Sequence, residues 1–234
     1  MAQGTLYGLG VGPGDPELIT LKALRILKSC PVLAYPAPEA GDSLARAIAA
    51  THLPGNQEEI VIRMPLDGGR GPMEAAYDRA ATTVAAHLDE GRDVAALCEG
   101  DPFFYGSFMY LFGRLAASYP VEVVPGVSSL LAGPAALGTP LAAHDDTLLV
   151  IPATLPEETL RARLEGVDAA VIIKVGRHLD KLRRTLDGLG LTANAHYIEH
   201  ATMADERISS LADAPSRAPY FSLVVVHRRG EAWK

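Results

Sequence analysis

The strongest constraint on this chain is an alternation of two patterns. Short apolar runs are separated by helical patterns of roughly ten to twenty residues, the sequence sign of βαβ units and a parallel sheet. In the first half the runs are GTLYGLG (4–10), PVLAY (31–35), EIVIR (59–63), DVAALC (93–98) and VEVV (121–124). Residues 72–90 place Met73, Tyr77, Ala80, Val84 and Leu88 on one helical face, with Asp78, Arg79, Asp89 and Glu90 off it. That is the pattern of a surface helix packed on a sheet. A further helix is expected over 16–28, with Asp15 as N-cap and Pro16 at its first position.

The second half offers TLLVIP (147–152), AAVIIKV (169–175), AHYIE (195–199) and YFSLVVV (220–226), with helical patterns near 156–165 and 177–188. The expected fold is α/β with two domains. Residues 1–125 are expected to carry a mostly parallel sheet and 126–234 a second α/β lobe, and the cleft between two such lobes is a common ligand site. No internal repeat or low-complexity tract interrupts this order.

Composition excludes several classes. With 48% hydrophobic and 21% charged residues the chain is too apolar to be disordered, and its formal net charge of -7 has the wrong sign for a general nucleic-acid binder. Most of the excess acid lies in residues 1–125, so a cleft lined locally by a few arginines stays compatible with a small polyacid. The longest stretch without Asp, Glu, Lys or Arg, Val123 to His144, contains Pro125, Gly126, Gly133, Pro134, Gly138 and Pro140, and reads as strand, turn and buried helix, not as a membrane span. The opening MAQGTLYGLG lacks a basic stretch leading into an apolar core, and the only cysteines are Cys30 and Cys98. A reducing cytoplasm is the expected setting.

Three loops that follow strands are placed to carry chemistry, because in an open parallel sheet ligands bind beyond the carboxyl ends of the strands. The first is Gly8-Leu9-Gly10-Val11-Gly12-Pro13-Gly14-Asp15. The dinucleotide pattern G-x-G-x-x-G fails in every frame, and no G-K-[ST] follows to make a P-loop. A Rossmann-type methyltransferase would want an acidic residue ending the second strand to hold a ribose, where this chain has Leu33-Ala34-Tyr35-Pro36. A tight turn capped by Asp15 accounts for the same residues. The second loop, Cys98 to Ser107, groups Phe103, Phe104 and Tyr105 in a chain with only 6% aromatics, which suggests a lined pocket. The third, Pro125-Gly126-Val127-Ser128-Ser129, opens an apolar helix with Ser128 or Ser129 as cap, and its free N–H groups are equally suited to a carboxylate.

No G-x-S-x-G elbow surrounds Ser107 or Ser128, which disfavours a serine hydrolase. His196 and His200 are four apart, and because Ala195 to Glu199 reads as strand they would lie about 13 Å apart at roughly 3.3 Å per residue, too far to share an ion, and read as one surface and one core histidine. No metal site is expected. Cys30 and Cys98 read as core filling.

Taken together, the opening GVGPGDPELITLKALRIL, the run Tyr35, Pro36, Gly41, Ser43, Ala45, Arg46, Ile48, the loop EGDPFFYGSFMYL (99–111), PGVSS (125–129) and KVGRH (174–178) resemble the tetrapyrrole methylase family, across essentially the whole chain. The resemblance implies two α/β domains, the N-terminal sheet mostly parallel and the C-terminal one mixed, with the active site in the cleft between them, a homodimer, S-adenosylmethionine as cofactor bound in that cleft, S-adenosylhomocysteine as product, and a small-molecule tetrapyrrole substrate. The cofactor contacts it implies are Pro13, Glu99, Gly100, Asp101, Phe104, Tyr105, Ser128, Ser129, Lys174, Val175, Gly176, Ala201 and Ser222. Gly12, Gly14 and Asp15 would line the substrate trough. Arg46, Arg63, Arg70 and Arg177 are the basic residues proposed for the substrate carboxylates, beside a reading of each as a solvated surface charge.

A sulfonium methyl is already an activated electrophile, so transfer to a ring carbon needs alignment and exclusion of water more than a strong acid or base. Glu99, Tyr105 and Asp15 are the candidates for removing the ring proton afterwards. The alternatives are methylation at another tetrapyrrole position, action on a cobalt-loaded ring, and a binding module that holds a tetrapyrrole without turnover.

Overall fold

In a computed structural model describing residues 2–65 and 70–233, the chain divides after Ser128 into two units, each built on its own five-stranded sheet. The first sheet takes β1 (Leu6–Gly10), β2 (Val32–Pro38), β3 (Glu58–Met64), β4 (Val94–Cys98) and β5 (Val121–Val124) in the order β3-β2-β4-β1-β5, every neighbouring pair parallel. β4 is buried along its whole length, which is why VAALC reads as a continuous apolar run with no alternation. Edge strand β3 exposes Glu58, Glu59, Val61 and Arg63 and buries Ile62. Pro36 and Pro38 are tolerated in β2 because that strand pairs with β4 only as far as Ala34 and beyond it with β3 alone.

The helices of this unit are α1 (Leu21–Ser29), α2 (Leu44–Ala49), α3 (Arg70–Asp89) and α4 (Phe108–Leu115). In α3 the expected face is present: Tyr77, Ala80, Val84 and Leu88 are buried, with Met73 packed beside them. The helix expected over 16–28 is corrected. Asp15 caps only a 3₁₀ turn, Pro16–Leu18; Ile19 is extended, and Thr20 recaps α1 by accepting the Ala23 N–H at 3.2 Å. Two apolar layers flank the sheet. One centres on Leu6, Val84, Leu88 and Leu111, the other on Leu9, Leu27, Leu33 and Leu97. Each fully buried side chain of this size contributes roughly 1.5–3 kcal/mol.

The second unit orders its strands β6-β7-β10-β8-β9: β6 (Leu148–Pro152) and β7 (Ala169–Ile173) are parallel, and β10 (Ser222–His227) runs antiparallel to β7 and to β8 (Ala195–Glu199). β9 (Arg207–Ser210) closes the edge, antiparallel to β8. It carries a single apolar residue, Ile208, so no periodicity announces it in the sequence. The helices are α5 (Ser129–Leu137), α6 (Glu157–Leu164) and α7 (Leu179–Gly188). The buried helix expected before His144 is only half so: α5 buries Ala132, Gly133 and Pro134 and exposes Leu131. Among the described residues no helix is long and apolar enough to cross a membrane.

Candidate functional site

Loops and the strand ends that carry them assemble the candidate residues. In the first unit β4, β1 and β5 are adjacent, so the loops after them emerge side by side at one sheet edge. Backbone joins them. Gly12 and Gly100 form an isolated bridge, with Gly100 N–H donating to Gly12 O at 2.8 Å. Gly126 lies against both neighbouring loops: a Cβ there would stand 2.1 Å from Gly100 O and 2.7 Å from Gly10 Cα. Gly10 and Gly126 must be glycine because main chain meets main chain, and Gly12 and Gly100 because their φ values of 81° and 64° are left-handed.

Asp101 completes the assembly. Its Oδ1 accepts the N–H groups of Phe103 and Phe104 at 2.9 and 3.0 Å, and its Oδ2 accepts Gly126 N–H at 3.0 Å. One carboxylate therefore shapes the second loop and fastens it to the third. The aromatic trio splits: Phe103 turns toward Phe108 and Phe112, whereas Phe104 and Tyr105 meet edge to face at 5.3 Å. Tyr105 is half exposed and holds a φ of 55°, a left-handed conformation uncommon for a non-glycine residue and concentrated at functional sites.

Glu99 is the half-buried carboxylate of this cluster. Its Oε1 accepts Ala45 N–H at 3.2 Å, and burial pushes its pKa above the ordinary carboxylate value despite hydrogen bonds from its own and the Ala45 N–H. Asp15 accepts Glu17 N–H at 2.8 Å as the cap of its turn. Gly12 and Pro13 are buried, and Gly14 and Asp15 half-buried. Ser128 precedes α5 and Ser129 begins it.

In the second unit Lys174, Val175 and Gly176 follow β7, Ala201 follows β8, and Ser222 starts the antiparallel β10. All five therefore lie at one edge of that sheet. Lys174 (φ 56°), His200 (φ 50°) and Thr202 (φ 68°) are left-handed non-glycine residues in these loops. Ser222 Oγ accepts Gly176 N–H at 3.4 Å and donates to Pro219 O at 2.7 Å, linking two of the loops. His200 Nδ1 lies 2.6 Å from Asp205 Oδ2, and Glu206 accepts Thr202 N–H at 2.5 Å. Beneath them Glu199, almost fully buried, accepts the Tyr197 hydroxyl at 2.5 Å and faces Arg207 Nε at 3.5 Å. Burial and the Glu199 carboxylate push the Tyr197 phenol far up. No sequence motif marks Glu199; its position at the end of β8 is the only signal.

The proposed substrate arginines are scattered. Arg46 in α2 makes a bidentate pair with Glu59, at 2.7 and 2.8 Å, and Tyr35 donates to the same carboxylate. That pairing gives Arg46 a structural role. Arg63 donates to the carbonyls of Pro38 and Gly41, Arg177 is exposed, and Arg70 opens α3 with its side chain outside the described residues. His196 and His200 are both half-buried, in place of the expected surface and core pair. Cys30 and Cys98 are buried and free. Among the described residues no group of three or more His, Cys, Asp or Glu side chains is placed to hold a metal.

A parallel sheet with glycine-joined loops at its carboxyl edge, followed by a mixed sheet with strained loops at one edge, defines a two-domain α/β protein with ligand-type loops on each sheet. The chain belongs to the tetrapyrrole (corrin/porphyrin) methylases, whose family model matches residues 5–214. It is 44% identical over 235 residues to the cobalamin biosynthesis protein CobIJ of Mycobacterium tuberculosis, covering 96% of this chain and 46% of the relative. This chain thus spans about half the length of that protein. It is also 44% identical over 232 residues to a precorrin-2 C(20)-methyltransferase of a Sinorhizobium species, covering 95% of each chain. Among solved structures, the uroporphyrin-III C-methyl transferase of Thermus thermophilus complexed with S-adenyl homocysteine superposes with a TM-score of 0.69 at 26% identity, over 95% of this chain and 97% of that one.

Proposed function

We propose that this chain is an S-adenosylmethionine-dependent methyltransferase that methylates C20 of precorrin-2, giving precorrin-3A in cobalamin biosynthesis. The observation that carries the reading is the 44% identity to a precorrin-2 C(20)-methyltransferase over 95% of both chains, with the loop residues of the resemblance gathered at sheet edges. The residues fit such a cofactor. Glu99 is a half-buried carboxylate whose donors among the described residues are main-chain N–H groups, so it is suited to a cationic ligand, and the glycine-joined loops present main chain to a nucleoside.

When bound, the cofactor supplies a methyl group on positively charged sulfur. The chain's part is positioning. Pro13, Glu99, Gly100, Asp101, Phe104, Tyr105 and Ser128 in the first unit, and Ser129, Lys174, Val175, Gly176, Ala201 and Ser222 in the second, are the proposed contacts, and Asp101 also holds its loop in shape. Gly12, Gly14 and Asp15 line the substrate trough, and Arg63, Arg70 and Arg177 are offered to the substrate carboxylates. Methylation of C20 with that group would leave one proton of the ring to be taken up. Glu99, Tyr105 or Asp15 receiving that proton would contribute the roughly 10²- to 10⁴-fold of general acid–base catalysis.

The test is a paired assay of the purified protein with labelled S-adenosylmethionine and either precorrin-2 or its cobalt complex, read by mass and absorbance. Single methylation of precorrin-2 supports the reading. Turnover of the cobalt complex alone favours the cobalt substrate, and cofactor binding without transfer to any tetrapyrrole favours a binding module. A homodimer in the cytoplasm is part of the proposal, and a light-scattering mass near one chain would remove the dimer.

A further inference from the structure

We infer that Glu199 is a positioning residue for the cofactor loops of the second unit. The inference rests on the cofactor reading above and names a residue that the sequence motifs leave out. Glu199 ends β8 and pairs in register with Ser222 on one side and Arg207 on the other. Its carboxylate is almost fully buried, yet its partners are one neutral hydroxyl and one guanidinium that is three-quarters exposed and 3.5 Å away. A strand end in an apolar core needs no such group, and a buried carboxylate so thinly compensated costs stability relative to an apolar side chain.

What the carboxylate holds explains its presence. Tyr197 Oη donates its one proton to Glu199 Oε2 at 2.5 Å, and Glu199 pairs in register with Ser222, whose own hydroxyl proton goes to Pro219 O. Ser222 Oγ in turn accepts Gly176 N–H and donates to Pro219 O. The next residue after Glu199, His200, donates its N–H to Phe221 O at 2.9 Å and begins the loop in which His200 and Thr202 are left-handed. The Tyr197–Glu199 bond, the strand pairing of Glu199 with Ser222 and the Gly176–Ser222 bond thus lie where the loops at 174–176, 200–202 and 219–222 leave the sheet. These loops contain Lys174, Val175, Gly176, Ala201 and Ser222, every cofactor contact proposed for this unit beyond Ser129. Such networks fix relative geometry more than they add stability.

The experiment measures S-adenosylhomocysteine binding by calorimetry, initial rates against S-adenosylmethionine, and the thermal midpoint, for wild type, E199Q, E199A and Y197F. Glutamine keeps an acceptor oxygen for the Tyr197 hydroxyl. E199A and Y197F are expected to weaken product binding and raise the cofactor KM about tenfold with kcat within about twofold, while E199Q stays near wild type. If E199A fails to fold, Y197F and E199Q carry the comparison. Unchanged KM and product affinity in the folded variants, with only a lowered midpoint, would make the network merely structural and overturn the inference. So would E199Q as impaired as E199A. Wild-type protein that binds no S-adenosylhomocysteine brings down the cofactor reading itself, and this inference with it.

Discussion

Gly10 and Gly126 pack backbone against backbone, so closely that a Cβ on Gly10 would stand 2.5 Å from Gly126 Cα. Every atom in the way is main chain, and no rotamer change relieves the overlap. Gly126→Ala, with its methyl also 2.1 Å from Gly100 O, is expected to lower stability by about 3 kcal/mol and to abolish cofactor binding by spreading the loops. Gly113→Ala is the control. It lies inside α4 with nothing within 4 Å of a new methyl, and is expected to be neutral or stabilising by about 0.5–1 kcal/mol. Chemical denaturation of both variants reads the contrast.

Asp101 accepts from Phe103 and Phe104 with one oxygen and from Gly126 with the other. Asn has one acceptor oxygen and turns an NH₂ toward whichever donors the oxygen does not face. Asp101→Asn is therefore expected to cost about 1–3 kcal/mol of stability and to weaken S-adenosylhomocysteine binding. Calorimetry and thermal unfolding of one preparation measure both effects.

Much of the fold was legible because local pattern and tertiary burial agree. VAALC reads as an apolar run because β4 is buried on both faces, and the period of α3 is the period of its contacts with the sheet. The three loops of the first unit were legible through their glycines, which the chain needs wherever backbones meet. Other features depend on partners distant in sequence. Arg46 looks like a free cation until α2 and β3 are seen to bring Glu59 beneath it. Thr20 ends one turn and caps the next within a stretch whose apolar spacing is continuous, so one helix was expected over 16–28. Glu199 is an ordinary strand-end carboxylate in the sequence, and only the pairing of β8 with β10 puts it under the loops.

The Arg46–Glu59 pair gives a third prediction. The guanidinium and Tyr35 hold the Glu59 carboxyl below the ordinary range against the cost of its burial. Both partners are partly exposed, so screening limits the pair to about 1 kcal/mol. Arg46→Ala and Glu59→Ala are expected to lower stability by similar amounts, with the double variant no worse than either alone. Neither is expected to raise the KM for the tetrapyrrole. A rise in Arg46→Ala only would assign its charge to a substrate carboxylate.

Asp146 contributes to the acid limb of the stability profile. Its carboxylate accepts Ala143 N–H at 2.8 Å, approaches His227 Nε2 at 3.1 Å and accepts from Arg229 at 2.7 Å, tying the segment before β6 to the end of β10. Chiefly through the Ala143 N–H, and then through His227 and Arg229, its pKa is held down from 3.8 to about 2. A carboxyl depressed on folding contributes stability that is fully present above its unfolded value and is lost as pH falls through its folded value. The contribution therefore disappears between about pH 4 and pH 2. Asp168, held down by Thr147, adds to the same limb, so the informative quantity is the difference between wild type and Asp146→Asn. That difference in unfolding free energy is expected to be constant above about pH 5 and to shrink steadily toward pH 2. A difference independent of pH across that window would show that the Asp146 charge contributes nothing beyond what its amide supplies.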